Sequence, residues 1–531
     1  MAIDDLYTQG VAGGWKLIDA STLSQDAHYE VDVVIVGSGA GGGTAAEILS
    51  EAGLSVLIIE EGPLYTSTRF KDMREDRAYA ELYQEAAGRS SSDGAISVLQ
   101  GRSVGGSTTI NWTSSFRTPA PTLGYWAARF GLRASGPDDM APWFAKMEAR
   151  LGIAPWGAKP NANNETLAKG AAALGWRWEV IPRNVRGCWN LGYCGLGCPT
   201  NAKQSMLVTT IPGALAHGAQ LIHKARVRQV QLQGDQVTGV VAEALDAEAI
   251  QPTGTRLTVS ARHTVLAGGA LNTPALLLRS RLPDPHGLLG RRSCIHPVNL
   301  CVARMPEPVN GYHGAPQSIY CDEFQWKHGA TGPIGYKLEV APMQPGLVTT
   351  MFSSYAETLR ADMAALPYLS SALALLRDGF DEASEGGRVR IDDSGMPILD
   401  YDFDDYLFDG FRRAYLSMAE LQFAAGAAAV LPAHFDGRWA KSWREARTAI
   451  AALPYRKHRL LVATAHLMGG CPMGEDDRIC VLDSEGRYRH AANLSVIDGS
   501  MFPTSIGANP QLSVYGFAAR NATTLAAQLN A

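Results

Sequence analysis

The chain has 531 residues, 46% of them apolar and 19% charged, enough to bury a large core and divide into two or more domains. A net charge of −5 gives no general attraction to nucleic acid or an anionic membrane, so neither is an expected partner. Eight cysteines are too few for a disulfide scaffold, Asp4 and Asp5 argue against a secretory signal, and no run reaches about 18 apolar residues, so a cytoplasmic protein without a transmembrane segment is expected.

The first thirty residues read as a polar surface arm. Val33 to Val36 then form a continuous apolar run, the pattern of a strand buried on both faces of a parallel sheet. Gly37, Gly39 and Gly42 follow at the spacing that provides a tight turn, close approach of backbone to a pyrophosphate, and close packing of the next helix. That helix, roughly Gly41 to Ala52, aims its N-terminal amides at the phosphates. A second apolar run, Val56 to Ile59, ends at Glu60, about 20 residues past the glycines, where a carboxylate can accept from both ribose hydroxyls. Strand, glycines, helix, strand and acid in this order predict a dinucleotide site without choosing between FAD and NAD.

Residues 64–98 are polar, with a loop at 90–94. GRSVGGSTTINW, Gly101 to Trp112, is a second glycine-rich segment whose small residues let backbone lie against a flat ligand such as an isoalloxazine ring. Residues 131–204 change character, with five tryptophans and a knot of cysteines, and mark a domain crossing. A hairpin is expected at Gly234-Asp235, a buried strand over 263–269, and a helix with Pro274 in its first turn. The apolar stretches 364–376 and 423–431 read as core helices, with an alanine-rich helix near 420–430. The last seventy residues return to glycine-rich motifs, so the first domain is discontinuous.

With GSGAGGG…IIEEGP, GRSVGGSTTIN, GGALNTPALLL from Gly268, and HLMGGCPMG from His466 followed by LSVIDGSMFPTSIGANPQLSVYGFAARNA, the chain resembles the glucose-methanol-choline (GMC) family of FAD-dependent oxidoreductases over most of its length. Its look is nearest the long-chain-alcohol and bacterial dehydrogenase branches. The resemblance implies an α/β fold: a doubly wound, Rossmann-like FAD-binding domain over 1–130, 205–300 and 461–531, and an α+β substrate domain on a mostly antiparallel sheet over 131–204 and 301–460. It extends the cofactor-binding set from Gly37, Gly39, Ala40, Gly42 and Glu60 to Glu61, Gly101, Arg102, Gly105, Gly106, Ser107, Asn111, Val227, Asp498, Gly499, Pro510 and Gln511. Two departures stand out. Ser280-Arg281 replaces the family's usual serine-glycine, and Ile110 before Asn111 occupies the position from which a histidine tethers the flavin in some members, so non-covalent FAD is expected.

The resemblance also places His466 and Asn509 at the substrate. A histidine among glycines could otherwise cap a turn. Oxidising an alcohol removes the hydroxyl proton and passes a hydride to flavin N5. A neutral imidazole of ordinary pKa suits the first task, so His466 is the expected general base, and Asn509 can donate to the developing alkoxide. Pro510 suits the start of a helix over about 510–528, whose dipole would favour negative charge on the reduced flavin. Cys188, Cys194 and Cys198 could supply three thiolates to a three-iron cluster, as clustered cysteines do in related dehydrogenases. Their spacing is no standard ferredoxin or zinc pattern, and no metal is expected there, only free thiols or a local disulfide. Cys471 and Cys480 read as small buried apolar residues.

The expected activity is oxidation of a small-molecule alcohol to an aldehyde or ketone, with oxygen or an external carrier taking the electrons. Two alternatives are a light-driven fatty-acid decarboxylase of the same superfamily and a non-catalytic flavin-binding protein, which the presence of both His466 and Asn509 disfavours. The substrate is not legible, because its pocket is built from residues 300–460, the least recognisable part of the chain.

Overall fold

A computed structural model describes residue 3 and residues 5–531; Asp4 lies outside the described residues. Two eight-stranded sheets carry the architecture. In the first, Ala27–Val36 and Val56–Glu60 run parallel in register Val33↔Val56 to Val36↔Ile59, joined through the helix Ala40–Glu51. Val33, Val34, Ile35, Leu57 and Ile58 are fully buried, as two-sided burial in a parallel sheet requires. Gln220–His223 and then Lys16–Asp19 extend one side, both parallel. On the other side lies Pro252–Leu266, also parallel to Ala27–Val36. This long strand divides its far edge: its start pairs with the antiparallel Gln236–Leu245, and its end with the parallel Leu494–Val496. The helix Gln511–Asn530 packs on Ala40–Glu51 and on the helix Pro137–Leu151.

The second sheet runs Ile96–Val98, Val462–Thr464, Val298–Arg304, Leu369–Leu376, Tyr336–Glu339, Ile319–Cys321, Trp178–Val180, with Ala429–Pro432 also on Val298–Arg304. Apart from the first pair it is antiparallel. Strand alternation gives it two distinct faces. Cys301, Ala303, Ala372, Ala374 and Leu376 join one apolar core with Phe411, Tyr415 and Met418 of the helix Asp405–Ala424. Val298, Leu300, Leu373 and Leu375 belong to the opposite face and a separate cluster. Ile96–Val98 and Val462–Thr464 sit in this second sheet, so the chain crosses between the sheets within the segments 1–130 and 461–531.

The hairpin is present, with Gln233 paired to Gln236 across Gly234-Asp235, and Pro274 lies in the first turn of the helix Asn272–Arg279. Three expectations are corrected. The lead-in is no surface arm: Leu6–Ala12 is helical, and Tyr7 is buried with its hydroxyl donating to Leu207 O at 2.8 Å. The run 364–376 contains no long core helix but the strand Leu369–Leu376, all eight residues buried between two neighbours; an evenly apolar run has no period to separate a central strand from a buried helix. The helix expected near 420–430 ends at Ala424, and Gly426, with φ at +97°, turns the chain so that Ala429–Pro432 can pair with Val298–Arg304.

Candidate active site

The turn after Ala27–Val36 is built where side chains cannot fit. Gly37 has φ at +100°, and a Cβ on Gly42 would stand 1.9 Å from Gly37 O, so the helix starts against the turn itself. Gly41 carries a constraint that the glycine spacing did not reveal: its Cβ would fall 1.7 Å from Ile497 O. The two glycine-rich segments are clipped together. Ser38 donates through its N–H and hydroxyl to Glu60 Oε2 at 3.0 and 2.6 Å, and Gly105 N–H donates to Ser38 Oγ at 2.9 Å. A Cβ on Gly106 would stand 2.9 Å from Gly39 Cα. The result is a floor of bare backbone ending in the first-turn amides of Ala40–Glu51, a cradle of the kind that accepts phosphate.

Glu60 lines the cavity above this floor but has work of its own. Its Oε1 accepts from Gly62 N–H at 2.8 Å, so three of its roughly four lone-pair positions are used by the chain. Burial pushes its pKa up. Glu61 lies between Arg102 and Arg226 at 2.9 and 3.2 Å, and these guanidiniums outweigh its burial and hold its pKa down at about 2. Replacing Glu60 by Ala leaves the buried Ser38 and Gly62 amides without an acceptor, at about 1–3 kcal/mol each. The expected result is a lower Tm even in flavin-free protein, together with a lower flavin-to-protein ratio after gel filtration; an unchanged Tm would remove the structural role.

A cavity of about 830 Å³, within the size range of ligand sites, opens over the cradle. Of the expected cofactor-binding residues, Gly42, Arg102 and Gly105 do not line it: Gly42 backs the turn, Gly105 holds Ser38, and Arg102 pairs with Glu61. The others do, Val227 included. Asp498 reaches the wall from the C-terminal segment, where Oδ2 accepts from Gly269 N–H at 2.8 Å and Thr273 Oγ1 at 2.6 Å, tying that segment to the end of Pro252–Leu266. Asn111 donates to Gln511 Oε1 at 2.7 Å, and Gln511 donates to Ser114 O at 2.8 Å, so the second glycine segment is anchored to the start of Gln511–Asn530. Pro510 is the N-cap of that helix rather than its first residue.

His466 and Asn509 line the same cavity. His466 follows Val462–Thr464, and its N–H donates to Thr464 Oγ1 at 3.1 Å. Its Nδ1 lies 3.3 Å from Nδ1 of His296, whose Nε2 accepts from Gly507 N–H at 2.9 Å. His296 is itself held in the left-handed region, φ at +44°, by Asp378, which accepts the N–H of Ile295 and His296 at 2.8 and 3.1 Å. Burial, and after it the Lys337 ammonium, push the pKa of His466 down to about 3, far below the ordinary value expected from sequence. Asn509 is enclosed by Lys337 and Glu339.

His296, Lys337 and Glu339 were missed by sequence reasoning. For the last two a signal existed: in GYKLEV two opposite charges stand two apart in an apolar strand, hence on one face. At the cysteine knot, Arg183 donates to Cys194 Sγ at 3.5 Å and Asn190 N–H to Cys188 Sγ at 3.4 Å. Among the described residues no three His, Cys, Asp or Glu side chains are grouped to hold a metal ion, and no helix is long and apolar enough to cross a membrane.

The fit to a flavin dinucleotide rests on the bare-backbone cradle, the helix N-terminus behind it and the cavity's size. Comparison with known proteins agrees. The chain matches the GMC oxidoreductase family over residues 79–298 and 383–518 and an FAD binding domain over 32–71. It is 32% identical over 490 residues to an uncharacterized GMC-type oxidoreductase of Mycobacterium tuberculosis, covering 92% of this chain and 74% of the relative. A long-chain-alcohol oxidase of Arabidopsis thaliana is 28% identical over 519 residues, 92% of this chain and 67% of its own. Among solved structures, pyridoxine 4-oxidase from Mesorbium loti superposes with a TM-score of 0.67 at 20% identity, covering 93% of this chain and 98% of its own.

Proposed function

The chain belongs to the GMC oxidoreductase family, a family of FAD enzymes, and on that premise we propose that it oxidises an apolar alcohol to an aldehyde or ketone at a non-covalently held FAD. One observation carries the reading: a single cavity joins the glycine cradle to His466 and Asn509 and to an apolar compartment. That compartment is walled by the cross-strand pairs Val298↔Leu375 and Leu300↔Leu373, with Leu347 and Met351. Such a wall excludes water and accepts a hydrocarbon chain, at roughly 0.8 kcal/mol per buried methylene. Similarity to long-chain-alcohol oxidases supports the same substrate class.

The backbone of Gly37 to Ala40 would hold the pyrophosphate, with Glu60 near the ribose and the segment from Gly101 to Asn111 beside the ring system. Bound FAD supplies the two-electron acceptor for the carbinol hydride. His466 takes the hydroxyl proton. For its Nε2 to do so, its Nδ1 must carry a proton and donate it to His296, an arrangement opposed by the Gly507 N–H at His296 Nε2. Leaving that buried donor unpaired costs about 1–3 kcal/mol, against the roughly 3–5 kcal/mol that a 10²–10⁴-fold base contribution represents. The base role survives with a handicap. Asn509 donates to the alkoxide as it forms.

Because His466 stays neutral well below pH 6.5, lowering the pH from 7 to 5 should not protonate it, and flavin reduction by substrate should hold its rate over that range. A fall with a midpoint near 6.5 would mean that His466 titrates as an exposed imidazole does. The reading as a whole is tested by acid precipitation, which should leave FAD in the supernatant, and by anaerobic mixing with aliphatic, aromatic, sterol and sugar alcohols. Bleaching of the flavin by aliphatic alcohols is expected. Bleaching by none of the panel would remove the proposed function, and oxygen consumption during turnover would separate dioxygen from an external carrier as acceptor.

A further inference from the structure

Lys337 and Glu339 stand on the strand Tyr336–Glu339 and are almost wholly buried, at 1% and 0% side-chain exposure. Their charges meet at 3.1 Å. The Lys337 ammonium donates to Asn509 Oδ1 at 3.3 Å, Asn509 Nδ2 donates to Glu339 Oε2 at 3.1 Å, and the ammonium also rests 3.0 Å from the centroid of the Phe116 ring. Stability does not account for this arrangement. Two charges taken out of water are repaid only in part by their attraction, and an apolar pair of similar volume commonly stabilises a core at least as well.

The chemistry of the three groups does account for it. A carboxamide is almost symmetric in shape, so packing alone cannot tell its oxygen from its nitrogen. An ammonium can only donate and a carboxylate can only accept. Between them Asn509 has one permitted orientation, oxygen on Lys337 and nitrogen on Glu339; the flipped amide would set oxygen against carboxylate and N–H against ammonium. One amide hydrogen is then committed to Glu339. The other has no protein partner among the described residues, in a side chain that lines the cavity.

We propose that Lys337 and Glu339 are positioning residues that lock the Asn509 carboxamide in this orientation and so keep its second N–H available to the substrate oxygen. The proposal rests on the role given to Asn509 above, and it makes two further groups of this chain part of the reaction without contact to substrate. It differs from a purely structural role in one respect: it slows the reaction through the amide, whereas the direct effect of removing the Lys337 charge, a more basic His466, has the opposite sign.

The test is a double-mutant cycle read by anaerobic flavin reduction with 1-decanol. Glu339→Gln offers both a donor and an acceptor and so no longer selects an orientation; Lys337→Gln combined with Glu339→Gln removes both charges and leaves no unpaired buried ion if the single variant fails to fold. Either is expected to slow reduction at least about tenfold in the native background, with flavin content unchanged, and to slow it no further in Asn509→Ala. Equal slowing in both backgrounds, or a native rate in the charge-free variant, would overturn the proposal. A native rate in Asn509→Ala alone would remove the role of the amide itself and the positioning claim with it. Nuclear magnetic resonance gives a readout that needs no turnover. The Asn509 side-chain amide, identified by its loss in Asn509→Ala, should show two widely separated proton shifts in native protein, drawing together in the charge-free variant. If no alcohol of the panel bleaches native flavin, the proposed function fails while this signal still decides the lock; unchanged shifts would overturn it.

Discussion

Replacing His466 by Ala is expected to slow single-turnover flavin reduction by up to about 10³-fold, the usual 10²–10⁴-fold worth of a positioned base less the roughly 1–3 kcal/mol tautomer cost, while FAD remains bound. The two effects separate because they have different physical supports. The cradle is made by Gly37, Gly39 and Gly106 and braced by Ser38 and Glu60, none of which is hydrogen-bonded to His466. The defect should shrink as the pH rises, since alkoxide then forms without help. Retained native rate in the variant would move the active site elsewhere, and loss of FAD would make His466 a structural residue.

Replacing Asn509 by Ala is expected to cost about 10²–10³-fold, the scale of removing one donor to a developing oxyanion. The carboxamide itself does not titrate, so this loss should persist as the His466→Ala defect shrinks, up to about pH 8, where burial lets Lys337 shed its proton. The fold should survive, because Lys337 and Glu339 remain paired with each other at 3.1 Å when the amide is gone. The comparison is made on flavin reduction, not steady-state turnover, so that product release does not mask it. Parallel pH profiles for the two variants would contradict the separate roles.

The glycine cradle was legible in the sequence because each of its parts is local: a strand, a turn and a helix start follow one another within thirty residues, and the spacing of Gly37, Gly39 and Gly42 states the geometry directly. The close approach at Gly41 was not legible, because what fills the place of its missing Cβ is Ile497 O, more than four hundred residues away. His466 and Asn509, the proposed catalytic pair, come from family resemblance, and the resemblance does not extend to their surroundings. His296 reaches His466 from another segment, and it is burial rather than residue type that pushes the imidazole from its ordinary pKa to about 3. Leu369–Leu376 was misread as helix for a related reason. A strand covered on both faces loses the alternation that identifies strands, and here that central strand supplies Leu373 and Leu375 to the cavity wall. The parts of the site that resist reading are those whose identity depends on what packs against them.

The central claim is that a carbinol hydride leaves the substrate at the His466–Asn509 pair. It is tested most directly by anaerobic single-turnover reduction with 1-decanol and with its 1,1-dideuterated form, measuring flavin absorbance and carbonyl product together. The account predicts one decanal for each flavin reduced, and slower bleaching with the deuterated alcohol. Bleaching without decanal, or equal rates for the two alcohols in a step that remains limited by chemistry in His466→Ala, would contradict it.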